Sequence, residues 1–473
     1  DNLVRIDYPD GRFLRFTYHV VGQRTQSVDQ TGFTINHGYD ALGRLTTLRD
    51  GNNNLIVRYS HDAAGRLVEK ALGNGTYTTY TYDAAGSVLS IVNHAPRPAP
   101  GLDGPVNSRF DYTYDALGRT ASEKTLDGQW DYTYDVSGQL TRAVFTPASG
   151  SAVPAQDLLY AYDAVGNRTR TVINGVTTNY TANNVNQYTQ VGGTSYTYDK
   201  DGNLATTTTG GLTTNYTFDQ ENQLVGIAGA GDSWSYRYDP FGNRVASTHD
   251  GVTTTNLIDP IGLGNLVAQF DGSGNLIAHY THGLGLVSRV SASGASGYYD
   301  FDRTGDTAGI TDSAGAYVNR YRSMPFGQSA TPLAGLSNPF TFVGLFGVTA
   351  DGSGLISMRA REYDPAIGAF LSNDPLGLLG GDVNLRRYVG NDPVGRVDPA
   401  GLIPFDQAQD GTLYNWIKGP YKPYYYVILK CGRVIITPQG TTIGDVVDPA
   451  GGHYTLITYP NGDYYLLKGF SDV

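Results

Sequence analysis

Three charged residues near the end of the chain could do chemistry together. Asp374 opens Asp374-Pro375-Leu376-Gly377, Asp398 opens Asp398-Pro399-Ala400-Gly401-Leu402, and Arg361 lies thirteen residues before Asp374. Two carboxylates hydrolyse a peptide when one holds its proton while the other activates water. Placed close together, they raise one pKa and keep that proton near neutral pH. An adjacent Arg holds one carboxylate ionised or stabilises the developing oxyanion. The spacing also fits a plainer reading, with Asp-Pro turns and a structural ion pair. Asp239, Asp259, Asp364 and Asp448 also precede proline. A second candidate lies further on, where Cys431 and His453 could pair as nucleophile and base. The plainer reading there is a buried thiol and a strand-edge imidazole.

These residues follow a long repetitive region. Tyr39-Asp40-Ala41-Leu42-Gly43-Arg44 recurs with variation at Tyr82-Asp83, Tyr114-Asp115, Tyr134-Asp135, Tyr162-Asp163, Tyr198-Asp199 and Tyr238-Asp239. His61-Asp62 and Phe218-Asp219 are variants, and Asn183-Asn184-Val185-Asn186-Gln187 is a degenerate copy. From Asp115 to Asp135, Asp163 to Asn183, Asp199 to Asp219 and Asp219 to Asp239 the step is 20 residues. Runs such as Tyr132-Thr133-Tyr134 alternate as strands do. The Asp-x-x-Gly that follows makes a tight turn: Asp bonds back to nearby N–H groups, and Gly accepts positive φ. Arg44, Arg66 or Arg119 opens the returning strand, and a turn such as Asn174-Gly175 closes the hairpin. The expected fold is all-β: one long, curled antiparallel sheet of stacked hairpins over residues 1–345.

Composition agrees with strands and turns. The 473 residues include 61 glycines and 36 tyrosines, but only four glutamates, so nearly all the acid is aspartate. Charged residues make up 16%, against roughly 25% in ordinary domains. A net charge of −11 argues against a phosphate-tracking shell and hence against nucleic acid as its partner. Cys431 is the single cysteine, so no internal disulfide forms. No apolar run is long enough to span a membrane, and Asp1 begins inside a strand-like segment without a leader. Residues 403–473 lack the repeat and carry strand-like runs at 424–429, 434–436, 453–457 and 464–467, with a turn at Pro460-Asn461-Gly462-Asp463. With five Lys and Arg against six Asp, and no Glu, this tail offers little for a nuclease or a zinc site.

The repeats, together with Asn338-Pro339-Phe340, Arg359-Ala360-Arg361-Glu362-Tyr363-Asp364-Pro365, Gly368-Ala369-Phe370-Leu371-Ser372-Asn373-Asp374-Pro375, Asn391-Asp392-Pro393 and Asp398-Pro399-Ala400-Gly401-Leu402, resemble the Rhs/YD-repeat family. That family includes bacterial Rhs polymorphic toxins, the TcC components of insecticidal Tc toxins and the teneurins. The resemblance implies a β-shell (a cocoon) over residues 1–345, an Rhs-associated core over 346–402 that closes it, and a variable toxin or cargo segment over 403–473. It also implies that the core is a single-turnover aspartyl autoprotease using Arg361, Asp374 and Asp398, without cofactor or metal, and that it cuts between Leu402 and Ile403. Ala369, Arg386 and Asp392 depart from the family's usual residues. The implied partners are the chain's own C-terminal segment as cargo, a secretion spike or pore-forming delivery subunit reached through a missing N-terminal region, and an immunity protein. The implied location is secreted or cell-surface, with delivery into a target cell. The competing expectation is a teneurin-like adhesion or structural protein that does not cut itself.

Overall fold

The computed structural model describes residues 2–402 except Ala230, with the backbone alone at 330–332, and the backbone of six short strands between 405 and 468. Among the described residues there is no α-helix. From Arg5–Asp7 to Ser329–Ala334, 31 strands form one antiparallel sheet. Within residues 5–50, 55–259 and 265–334 successive strands pair in chain order, as in Thr120–Thr125 with Gly128–Tyr134 and then Leu140–Pro147. Most strands have six or seven residues, so a 20-residue repeat holds two strands and two turns.

The local rules are visible at single residues. Phe13–Tyr18 buries Leu14 and Phe16 and exposes Arg15 and Thr17, the period-two alternation of a strand with one covered face. At Asp40 the Oδ1 atom accepts the N–H groups of Leu42 and Arg44 at 2.9 and 3.0 Å, while Gly43 stands at φ 79°. Asp115 and Gly118 repeat this geometry. In the degenerate copy Asn183 Oδ1 replaces the carboxylate, and Asn186, at φ 62°, replaces the glycine. Asn is the substitute that tolerates the left-handed region best.

The chain divides into two compact units. One takes in Asp1–Leu55 and Leu257–Val267. Its part-buried ion pair joins Arg24 to Asp259, and the Arg24 guanidinium lies 4.4 Å from the Phe16 ring centroid. Asp259 is therefore more than an Asp-Pro turn former. The other unit takes in Ile56–Asn256 and Ala268–Gly411. There the repeat strands supply Leu140, Leu158 and Tyr160 to one core cluster with Phe326 and Val394, and Leu204, Leu224 and Trp234 to another with Leu355 and Leu371. Tyr180, Tyr188 and Val191 bury Ile367 and Ala369. The segment 344–402 is thus held on the sheet by its own apolar residues, and Ala369 packs there as a core residue.

In the tail, the strands Tyr424–Ile428 and Val434–Pro438 pair, and Thr442–Val447, His453–Thr458 and Tyr464–Lys468 form a second small sheet. Four of these five match the runs read from sequence, while Thr442–Val447 is an addition. Ile403, Cys431, the side chain of His453 and the turn at 460–463 lie outside the described residues.

Candidate functional site

Ile356–Met358 and Arg361–Asp364 form a hairpin in which Met358 pairs with Arg361 across the two-residue tip Arg359-Ala360. Arg359 takes φ 59° to close it. The tip grips the segment that follows Asp398. The Arg359 guanidinium donates to the Pro399 carbonyl, the Ala360 N–H to the Ala400 carbonyl at 3.2 Å, and Arg361 Nε to the Gly401 carbonyl. Three consecutive residues thereby hold three consecutive carbonyls. Gly401, at φ 66°, approaches so closely that a Cβ there would lie 2.4 Å from the Met358 carbonyl oxygen.

The same arginine joins the two aspartates. Arg361 Nη2 lies 3.1 Å from Asp374 Oδ2 and 3.3 Å from Asp398 Oδ2, and Nη1 donates to the Leu385 carbonyl at 2.9 Å. Its guanidinium carbon sits 3.6 Å from the Phe370 ring centroid. The side chains of Arg361, Asp374 and Asp398 are 3%, 9% and 1% exposed, so the charges interact in a dry setting. Burial pushes Arg361 below its usual pKa, opposed by Asp398 and Asp374. Burial raises the Asp374 pKa, opposed mainly by Arg361.

Leu402 is tied to the same cluster. Its N–H donates to Asp398 Oδ1 at 3.0 Å, and the Gly401 N–H donates to the Asp398 carbonyl at 3.2 Å, so Asp398 folds the segment back on itself. A Cβ placed on Gly380 would lie 2.7 Å from Asp374 Oδ2 and 3.3 Å from the Leu402 carbonyl oxygen. Asp374 and the carbonyl of Leu402 therefore border one small space, which exists because residue 380 has no side chain.

The described site residues named from sequence thus come together around Arg361. Arg359, Ala360, Gly380 and Gly401 complete the arrangement and were not singled out. Arg359, Ala360 and Gly401 lay inside the quoted motifs, but the roles of Ala360 and Gly401 belong to backbone atoms, which residue type does not announce. Arg386, one of the departures, donates to the Leu371 carbonyl at 2.9 Å and is pushed down to about 10 by burial. Elsewhere, Asp232, His249 and Asp250 offer ligand atoms within 4.8 Å of one another, all exposed. His249 Nε2 is 2.6 Å from Asp232 Oδ1, and its ring stacks on Trp234.

Comparison with known proteins places this geometry in context. Residues 106–394 match the family model for the teneurin YD-shell, and residues 39–76 and 61–93 match the RHS repeat. The chain is 34% identical over 110 residues to double-stranded DNA deaminase toxin A of Burkholderia cenocepacia, covering 22% of this chain and 7% of that protein. It is 32% identical over 109 residues to toxin subunit YenC1 of Yersinia entomophaga, covering 22% and 11%. The crystal structure of TcdB2-TccC3 shares its fold with a TM-score of 0.69 at 20% identity, over 84% of this chain and 22% of that one. The chain thus spans only a small part of each of these relatives. No described helix is long and apolar enough to cross a membrane.

Proposed function

Because the chain belongs to the teneurin YD-shell family of Rhs/YD-repeat proteins, we propose that it is a toxin-encapsulating shell that cuts itself between Leu402 and Ile403. Residues 1–345 are the shell, 346–402 the autoprotease core and 403–473 the cargo. The observation that carries the reading is that one buried guanidinium, Arg361, touches both Asp374 and Asp398 while holding the Gly401 carbonyl. A structural ion pair needs one carboxylate. A second one, tied to the backbone N–H of Leu402, is what a cleavage site needs.

In the proposed reaction Asp374 is the acid and Asp398 the base. Asp374 borders the Leu402 carbonyl oxygen, and burial favours its protonated form. Asp398 takes a proton from water as the water oxygen bonds to the Leu402 carbonyl carbon. Asp374 gives its proton to the carbonyl oxygen. Collapse of the tetrahedral intermediate returns one diol proton to Asp374 and breaks the bond to the Ile403 nitrogen, which leaves protonated by Asp398, and the new Leu402 carboxylic acid gives its proton to solvent. The products are a carboxylate on Leu402 and a free amine on Ile403. The substrate is covalently tethered, so proximity supplies much of the rate, and the enzyme turns over once. On this reading the protein is secreted, with the tail as its cargo and a delivery subunit and an immunity protein as partners.

Mass spectrometry of the purified full chain tests the proposal. A fragment beginning at Ile403, absent from the Asp374→Asn variant, is expected. An intact chain under all conditions would leave the adhesion or structural role in its place.

A further inference from the structure

The repeat sheet contains a second site, remote in sequence from the Arg361 cluster. A cavity of about 340 Å³ opens among the strands around residues 108–156 and 302–329. That volume falls within the range of small-molecule pockets. Its walls include Phe110, Trp130, Phe145 and Met324, and, besides the arginine-paired Asp127, three carboxylates line it: Glu123, Asp302 and Asp306.

The three carboxylates are not equivalent. Asp302 Oδ1 accepts Thr304 Oγ1 and the Asp306 N–H at 2.7 and 2.9 Å, and Asp306 Oδ1 accepts the Val343 N–H at 2.7 Å. Nothing among the described residues donates a hydrogen bond to Glu123. The nearby cations are engaged elsewhere. Arg303 donates to Thr120 Oγ1 and the Val394 carbonyl, and Arg109 pairs with Asp111 at 2.6 Å. Arg322 and Arg320 lie 3.0 and 3.9 Å from Asp127. Glu123 is thus a carboxylate with a free face, in a pocket whose other acids each accept a hydrogen bond or pair with an arginine. Its cross-strand partner on the same face of the sheet is Trp130, whose ring packs 5.2 Å from that of Phe145.

We propose that this cavity binds a small organic monocation with an apolar body, a primary aralkylamine, with its ammonium on Glu123 and its ring against Trp130. A carboxylate beside an aromatic face suits an alkylammonium, through a charge-assisted hydrogen bond and a cation–π contact. Burial, and then Asp302, favour the protonated form of Glu123 when no cation is present, with Arg303 opposing. Tyr112 and Tyr132 are the remaining titratable neighbours, and both stay neutral because burial pushes their pKa values far up. Entry of the ammonium ionises Glu123, whose proton passes to solvent.

The probe is 2-phenylethylamine, with 2-phenylethanol as its neutral counterpart. Both are titrated calorimetrically into the full chain near pH 7, in two buffers of different ionisation enthalpy. The amine is expected to bind with release of up to about one proton, and the alcohol at least about tenfold more weakly. Glu123→Gln is expected to weaken the amine by a similar factor and to abolish proton release. Failure of the amine to bind, equal binding of amine and alcohol, or unchanged amine affinity in Glu123→Gln would overturn the proposal. If that variant does not fold, the comparison of amine with alcohol and the proton count on the unsubstituted chain decide the matter.

Discussion

At Arg361 one positive charge faces two carboxylates. On the proposed mechanism Asp374 keeps its proton, which its burial favours. On that mechanism Asp374→Asn and Asp398→Asn each remove a proton-transfer group at nearly constant shape. Each is expected to slow cleavage by about 10²–10⁴-fold, read as the rate of appearance of the Ile403 fragment. Arg361→Ala should slow it too, by removing the charge and the grip on Gly401. Asp364→Asn is the appropriate control, since Asp364 Oδ1 accepts the Ala366 N–H in a turn away from the cluster. Asp259→Asn is a poorer control because it breaks the Arg24 pair. Release of the Ile403 fragment by both aspartate variants would end the aspartyl mechanism. Two glycines extend the test. Gly401→Ala meets both a left-handed φ and the Met358 carbonyl, so it should displace the segment to be cut and stop processing. Gly380→Ala is not strained in its backbone but pushes on Asp374 and the Leu402 carbonyl. It should slow cleavage while leaving the melting temperature nearly unchanged.

The hairpin repeat gains its cohesion from a contact between neighbouring elements. The tyrosine before each turn donates its hydroxyl to a backbone carbonyl in an earlier strand: Tyr39 to Arg24, Tyr82 to Leu67, Tyr134 to Thr120, Tyr238 to Leu224, all at 2.6–2.8 Å. Each hydroxyl reaches the first residue of the directly paired preceding strand, just past the previous turn, and so ties consecutive repeats. Tyr134→Phe keeps the ring and removes the latch, so a loss of about 1 kcal/mol is expected in urea unfolding. A loss near zero would make the hydroxyl incidental. The strands, the Asp-x-x-Gly turns and the all-β class were legible in sequence because each depends on local chemistry that residue type states openly. Asp40 can cap only its own turn, and Gly43 has the φ that only glycine adopts freely. The latch was hidden because its acceptor is a backbone carbonyl some fifteen residues away, which any residue provides. At the site the same division holds. Arg361, Asp374 and Asp398 were legible from charge and motif, whereas the grip of Arg359 and Ala360 on Pro399 and Ala400 depends on how the hairpin tip meets the chain.

Across the whole molecule, two populations of carboxylates set the pH dependence of stability in opposite directions. The turn aspartates, including Asp40, Asp62, Asp83 and Asp271, have pKa values lowered chiefly by hydrogen bonds from their own turns. Their stabilisation is present above the unfolded carboxylate pKa of about 4 and is lost as pH falls through the lower folded value. Buried acids behave in the reverse way. Burial pushes Asp300, Asp302 and Asp364 up to about 6 and Glu123 up to about 8, and it raises Asp306 well above the usual range. A folded state that holds its protons more tightly than the unfolded chain is favoured fully below about pH 4, and that advantage is lost as pH rises through the folded pKa values. His37, buried and pushed down to about 4, works against this trend between about pH 6.5 and 4 as a single group. The melting temperature is therefore expected to peak near about pH 5, to fall by several degrees toward pH 8, and to fall again below about pH 4. Glu123→Gln removes an acid pushed up to about 8, so it should flatten the decline between about pH 6 and 8 and leave the acid limb in place. Differential scanning calorimetry of the two proteins across this range reads both limbs. A melting temperature that rises steadily from pH 5 to 8 would mean that the buried acids are ionised in the folded chain, with Lys70, Arg303 and Arg168 outweighing burial as their counter-charges.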